Sequence, residues 1–381
     1  MRGEHRRRRK PVVTGWRGRA VVAVLGVGAL AAGSGVIALS QSDGRVARLS
    51  SLSTPTVPTP SACADAATMP LRAALAQTLM VGVAAPTRAE LTRLARLGIG
   101  GLFLHGDGMR ELTDGRLTRL SKAAVPPLVS ADDEGGRVQR IAATGSMRSA
   151  RKQAQLRPDQ VRTLARKRGE KLLRYGITMN LAPVVDLAGR NPAIGDRAYA
   201  ARPDDVSRFA GAFAAGLREA GVLPTLKHFP GHGRATGDSH RGAAVTPPVA
   251  SLRSSDWKPY RTLGATGTSV MMGHLTVPGL STQGLPSSLD PVVYRALRTE
   301  VGFDGLVVTD ELSEMKAVPF GLGQSLRRAL GAGADLALFF AEPARVPKLL
   351  DALERDVRAG RLPEARVREA AGRVLAAKTC G

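Results

Sequence analysis

Lys227, His228, His232, Asp238 and His240 fall within fourteen residues, interleaved with Gly231, Gly233 and Gly237. Half of the chain's six histidines sit here, directly after the apolar run from Val222 to Leu226. A rigid run opening into a Gly- and Pro-rich polar loop is a common place for reacting groups. Two chemistries are open to these side chains. The first is acid–base work: an imidazole titrates near neutrality, and Asp238 orients His240 and raises its basicity. The second is metal ligation by His228, His232, His240 and His274. Metal pairs normally show helical spacing or two-residue gaps with a defined carboxylate. His228 and His232 instead flank Phe229-Pro230-Gly231, so no catalytic metal and no other cofactor is expected.

Asp310, directly after Val307-Val308-Thr309, supplies the complementary group. A carboxylate fixed at a strand end can attack an electrophilic carbon if a second group protonates the leaving oxygen. His240 suits that second role, because the glycines from Gly233 to Gly237 let its loop open and close. Capping the next segment is the plainer role for Asp310, but Glu311 and Ser313 are also available for it.

Such residues cooperate only if the fold converges them. Eight short, nearly continuous apolar runs, at 79–83, 101–104, 127–131, 179–185, 223–226, 269–272, 305–309 and 335–340, alternate with helix-like stretches. Parallel strands buried on both faces look like this. Arg202-Pro203-Asp204 opens one helix, with Val206, Phe209, Phe213 and Leu217 on one face and Gly221 closing it. Asp290-Pro291 and Pro158 open others. Eight strand–helix repeats predict an α/β fold, a (β/α)8 TIM barrel. An open doubly wound sheet would usually carry a Gly-rich phosphate loop after its first strand, and none is present. Asp132, Asp186, Lys227 with His228, His274 and Asp310 each follow one of five successive runs. In a barrel, that end is the catalytic face.

Outside the barrel region the chain divides further. At 1–19, Arg2, Arg6 to Arg9, Lys10, Arg17 and Arg19 face only Glu4. Residues 20–39 carry no charge and are long enough to span a bilayer. The basic flank then puts the N-terminus in the cytoplasm and all that follows outside. The segment is rich in Gly and Ala, so a retained anchor and a signal peptide cut near Ala38-Leu39-Ser40 both stay open. Residues 40–62, with Pro55, Pro58 and Pro60, read as an extended spacer, and 63–381 as the folded domain. Outside the cytoplasm, Cys63 and Cys380 are expected to form a disulfide, since a closed barrel brings its ends together. Lipid attachment at Cys63 fits poorly, because it lies more than twenty residues beyond the apolar segment. The net charge is +23, but aromatic content is 4% and no nucleic-acid motif occurs. Nucleic acid is therefore not an expected partner, and the excess arginine reads as solvated surface.

Lys227-His228-Phe229-Pro230-Gly231-His232-Gly233, Asp238-Ser239-His240, Asp132-Asp133-Glu134-Gly135-Gly136-Arg137-Val138 and Thr309-Asp310-Glu311-Leu312 resemble glycoside hydrolase family 3. Within it they are most similar to the NagZ-type β-N-acetylglucosaminidase branch, over roughly residues 79–377. The resemblance implies a TIM barrel and a retaining mechanism through a covalent glycosyl-enzyme. It assigns Asp310 as nucleophile and His240 with Asp238 as acid/base. It assigns Asp132, Lys227, His228, Arg140 and Arg197 to the sugar, and Met315 to a place beside the nucleophile. Gly135 and Gly136 look structural. Relatives with a second, sandwich domain usually take a glutamate acid from it. Here the chain reaches Gly381 soon after the eighth helical stretch, so the acid is expected from the barrel.

The departures are Asp133 where the family usually has Gln, Arg234 where an Asp is common, and Met315 one step later than in some relatives. Arg234 is expected to alter the loop's charge and its recognition beyond the first sugar. His232 is the histidine least expected to touch substrate. The expected protein is a monomeric, extracytoplasmic enzyme that removes terminal N-acetylglucosamine from peptidoglycan fragments. The alternatives are a β-glucosidase or phosphorylase of the same family, or a non-catalytic wall-binding module.

Overall fold

Alternation along the strands builds this molecule. In the computed structural model, which describes residues 65–84, 86–106, 115, 117–120, 123, 125–237, 242–313, 315 and 318–378, the chain forms an eight-stranded parallel sheet. Its strands are β1 (Leu79–Val83), β2 (Gly101–Leu104), β3 (Leu128–Ala131), β6 (Met179–Asn180), β7 (Leu223–Phe229), β9 (Ser269–Met272), β11 (Val307–Thr309) and β12 (Ala337–Phe340). A hairpin of β4 (Asp133–Gly135) and β5 (Val138–Gln139) follows β3, and β8 (Ala244–Val245) pairs with β10 (Leu275–Thr276) above the sheet. The order β11-β9-β7-β6-β3-β2-β1-β12 follows the sequence around the sheet until β1 meets β12. A parallel bridge from Val308 to Leu336, with Thr309 N donating to Leu336 O at 3.0 Å, joins the two ends. The expected (β/α)8 barrel is what forms.

Successive strand residues point to opposite faces. Met80, Phe103, Leu128, Met179, Met271, Val308 and Leu338 fill one cluster, the barrel interior. Their neighbours Leu79, Val81, Leu102, Val129, Val270, Val307 and Phe339 join the larger cluster beneath the helices. Both sets are buried, which explains why the runs carry almost no polar residue.

The helices form as their sequence signals predict. Pro203–Glu219 buries Val206, Phe209, Phe213 and Leu217, and Gly221 follows at φ 81°. Asp290 Oδ1 accepts from Val292 N at 3.0 Å and caps Pro291–Ala296. The two ends of the described chain adjoin: Nη1 of Arg368 donates to the carbonyls of Ala66, Ala67 and Met69. Cys63, Cys380, the apolar segment 20–39 and the spacer 40–62 lie outside the described residues. Among the described residues, no helix is long and apolar enough to cross a membrane.

Five of the eight runs differ from the observed strands at an edge, two of them most. The run 179–185 pairs regularly only at Met179–Asn180. Asn180 there turns its amide onto the backbone of Asp133, with N–O distances of 3.1 and 2.9 Å, and Pro183 offers no N–H. Conversely, β7 runs past Leu226 to Phe229. Lys227 and His228 are thus inside the strand rather than after it, held by a Val184–Lys227 bridge and Phe229–Met272 pairing.

Near the opposite end of the strands, Asp335 is fully buried and accepts from Arg298, Arg366 and Arg373 and from Val307 N. Removing one partner of a buried charge set costs about 3–5 kcal/mol. Asp335→Ala should lower the urea midpoint accordingly, and Asp335→Asn should cost less, because the amide oxygen still accepts. Midpoints equal to wild type for both variants would contradict this anchoring role.

Candidate active site

A pocket of about 410 Å³ opens at the C-terminal ends of the strands. Its floor is apolar, with Leu181, Met271 and Leu338 from the barrel interior. Its polar groups come from separate elements: Asp132 after β3, Arg140 after β5, Lys227 and His228 within β7, His274 after β9, and Asp310 and Glu311 after β11. Arg197 arrives from the short 3-10 turn Gly195–Arg197. Phe103, His105 and Phe340 form an aromatic side, with the His105 and Phe340 rings 4.2 Å apart. Burial holds the His105 imidazole below its usual range.

One ionic network organises the polar wall. The Lys227 ammonium, with its side chain 2% exposed, lies 2.5 Å from Asp132 Oδ1 and 2.8 Å from Glu134 Oε1. Arg197 grips Glu134 through two bonds of 2.8 Å each. Burial alone would push the Glu134 carboxyl up, but the charges of Lys227 and Arg197 bring it down to about 2. Burial likewise opposes the Lys227 charge, and Asp132 with Glu134 raise its affinity for the proton. Glu134, Lys227 and Arg197 are therefore held in their charged forms.

The strand period decides which carboxylate goes where. Asp132 and Glu134 turn toward Lys227, and Asp133 between them points away to Arg168, bonding it at 2.9 and 2.8 Å in a fully buried pair. Gly135 and Gly136 then turn the chain at φ 92° and 61°, backbone that side-chain-bearing residues rarely adopt.

His228 is set by a second carboxylate. Its Nδ1–H donates to Asp186 Oδ2 at 2.7 Å, and His232 N donates to Asp186 Oδ1 at 2.6 Å. Burial keeps the His228 imidazole below its usual range despite Asp186, so the ring is neutral at physiological pH. Its Nε2 is then an acceptor, 3.4 Å from Arg197 Nη2. His274 donates through Nε2 to the Glu311 carbonyl at 2.6 Å and meets Ser288 Oγ through Nδ1 at 2.6 Å. This ties β9 to the segment carrying Asp310. Asp310 is 8% exposed, and its Oδ1 accepts from Glu311 N at 2.9 Å.

The sequence reading thus has Asp132, Arg140, Arg197, Lys227, His228 and Asp310 together in one pocket. Met315 is not among the residues that line the pocket; it is buried, with its sulfur 3.8 Å from Ser288 Oγ. The Arg234 guanidinium pairs with the buried Asp256 and bonds Ser251 and Ser255. It anchors the base of its loop, with its side chain 31% exposed. Asp238 and His240 lie outside the described residues. The chain on either side is tied down, with Thr236 and Val245 exchanging backbone bonds of 2.8 and 3.0 Å and Asn191 reaching the Gly237 carbonyl at 3.0 Å.

His232 packs against Asn191, with Nδ1 3.1 Å from the amide nitrogen. Among the described residues, no three His, Cys, Asp or Glu side chains group as metal ligands. The sequence reading left Glu134 unassigned and gave Asp186 no role beyond a strand end. Period-two alternation from Asp132 was a usable signal for Glu134.

A carboxyl held lower in the folded than in the unfolded chain stabilises the fold fully above its unfolded value, and the contribution is lost as pH falls through the folded value. For Glu134 that window runs from its ordinary 4.5 down to about 2. Glu134→Gln should melt lower than wild type at neutral pH yet lose less stability between those limits. Parallel curves of melting temperature against pH for the two proteins would refute this.

A profile of the glycosyl hydrolase family 3 N-terminal domain matches residues 70–377. The β-hexosaminidase LpqI of Mycobacterium tuberculosis is 45% identical over 343 residues, 84% of this chain and 87% of that protein. A solved family 3 glycosyl hydrolase from Mycobacterium smegmatis matches with a TM-score of 0.78 and 44% identity, covering 83% of this chain and 99% of that one. A family 3 β-N-acetylglucosaminidase from Paenibacillus matches with a TM-score of 0.74 and 32% identity, covering 81% and 62%. The strand-end carboxylate and the Lys227 network therefore belong to a member of glycosyl hydrolase family 3, a glycoside hydrolase of the β-N-acetylhexosaminidase type.

Proposed function

We propose that this chain is a retaining exo-β-N-acetylglucosaminidase that removes terminal N-acetylglucosamine from peptidoglycan-derived fragments outside the cytoplasm. The observation that carries the reading is the meeting of Asp310 with the Asp132–Lys227–Glu134–Arg197 network in one pocket of about 410 Å³ with an apolar floor. A space of that size, closed below, suits one terminal sugar. Asp132, Lys227, Arg197 and the His228 Nε2 offer acceptors and donors to ring hydroxyls. The Asp310 carboxylate attacks the anomeric carbon as the glycosidic C–O bond breaks, and His240, oriented by Asp238, gives its proton to the leaving oxygen. Water then attacks the glycosyl–Asp310 bond, His240 takes its proton, and the sugar leaves with Asp310 regenerated.

The wall substrate and the export follow from the basic and apolar N-terminal segments and from the family likeness. Residues 20–39 serve as an anchor or as a removed signal. The Cys63–Cys380 disulfide belongs to the same reading, as does the monomeric state.

Product analysis tests the function. Aryl N-acetyl-β-glucosaminide and muropeptides, incubated with and without phosphate, should yield free N-acetylglucosamine. Sugar 1-phosphate as the main product would assign a phosphorylase instead, and no turnover would leave a binding module.

The mechanism makes a paired prediction. Asp310→Asn should abolish essentially all turnover while keeping the melting temperature near wild type. His240→Ala should slow cleavage of poor leaving groups by about 10²–10⁴-fold and activated aryl glycosides much less. An active Asp310→Asn enzyme would remove the nucleophile assignment. Equal losses on both leaving groups in His240→Ala would remove the acid role.

A further inference from the structure

Ser288 is fully buried in the 3-10 turn Ser287–Leu289, between β10 and the helix Pro291–Ala296. Its position is fixed from two sides. Its carbonyl accepts from the Tyr294 hydroxyl at 3.0 Å, and the neighbouring Ser287 hydroxyl donates to the Leu275 carbonyl at 2.6 Å. The Ser288 hydroxyl oxygen lies 2.6 Å from His274 Nδ1 and 3.8 Å from the Met315 sulfur. Neither attack at the anomeric carbon nor proton transfer to the leaving oxygen engages this hydroxyl directly.

The geometry dictates which group gives its hydrogen. The Glu311 carbonyl oxygen, 2.6 Å from His274 Nε2, can only accept, so Nε2 carries a proton. A neutral imidazole has one donor nitrogen and one acceptor nitrogen. That makes Nδ1 the acceptor and the Ser288 hydroxyl its donor. The hydroxyl has one hydrogen for two acceptors. The ring nitrogen at 2.6 Å is the closer, and a thioether sulfur accepts only weakly.

The other ring nitrogen reaches the backbone that carries Asp310. Asp310 N donates to the Met272 carbonyl at 2.8 Å, and one residue on, the Glu311 carbonyl accepts from His274 at 2.6 Å. These two ties bracket the Asp310–Glu311 peptide, whose N–H donates to Asp310 Oδ1 at 2.9 Å. Rotation of that peptide would swing the donor off the carboxylate. With its proton moved to Nδ1, the ring would set a bare Nε2 against the carbonyl oxygen, and two acceptors in contact repel. Ser288 therefore stands three hydrogen bonds from the Asp310 carboxylate, and each link depends on the one before it.

We propose that Ser288 is a positioning residue: its hydroxyl donates to His274 Nδ1, keeps the ring in the Nε2–H tautomer, and so holds the Asp310 carboxylate in place for attack. This role rests on Asp310 being the nucleophile. Heteronuclear NMR of the imidazole nitrogens in the full chain reads the tautomer directly, with the His274 signals assigned by their loss in His274→Gln. Wild type at neutral pH should show a neutral His274 with its proton on Nε2. In Ser288→Ala, Nδ1 should become protonated in part, while the His228 and His232 signals stay in place. The kcat of Ser288→Ala on an aryl N-acetyl-β-glucosaminide should fall about 10- to 100-fold with KM near wild type, because a misplaced nucleophile is felt in the transition state. A wild-type His274 with its proton on Nδ1 or on both nitrogens, a Ser288→Ala ring unchanged from wild type, or an unchanged kcat would each overturn the proposal. The wild-type spectrum decides the tautomer whether or not Ser288→Ala folds. A wrong tautomer overturns the role of Ser288 and leaves the nucleophile reading standing, whereas an active Asp310→Asn enzyme overturns both.

Discussion

A buried ammonium is the constraint on which the catalytic face depends. Lys227 sits inside a strand with its side chain 2% exposed, where an unpaired charge would cost several kcal/mol. It is tolerable only because Asp132 and Glu134 meet it, and Glu134 is tolerable only because Arg197 takes its other side. The balance has consequences beyond stability. Asp186 draws a proton toward His228, but burial, helped by the charges of Arg197 and Lys227, outweighs it and leaves the ring neutral. The wall therefore offers both donors and acceptors to a ligand, with geometry set before the ligand arrives.

That network also links elements far apart in sequence. Asp132 and Glu134 belong to the β3–β4 segment, Lys227 to β7, and Arg197 to the turn between them. Asp186 repeats the pattern on a smaller scale, fixing His228 through its ring and His232 through its backbone. Around these anchors glycine is required where backbone must approach backbone. A Cβ on Gly233 would meet the Leu187 carbonyl oxygen at 1.8 Å, so the turn leaving β7 passes only because that residue has no side chain.

The barrel itself was legible because its physics is local. Strands buried on both faces must be apolar throughout, and helices between them must show caps and one apolar face. Three of the eight runs, 79–83, 101–104 and 269–272, coincide with strands, and the others differ at an edge. Those differences arise where a side chain satisfies the backbone, as Asn180 does for Asp133, or where a partner strand extends pairing, as for Phe229. Neither event leaves a trace in the run of residues concerned.

Residue identity alone determined the alternation of strands and helices, the placement of polar groups at strand ends, and the family to which the motifs point. It did so because hydrophobic periodicity and turn chemistry act over a few residues. The tertiary structure decided the partners. Asp133 turns to Arg168, Arg234 to Asp256, and Met315 sets its sulfur against Ser288, while Glu134 emerges as the carboxylate shared by Lys227 and Arg197. Each pairing joins groups whose distance depends on closure of the barrel, and buried charge selects its partner by proximity in space.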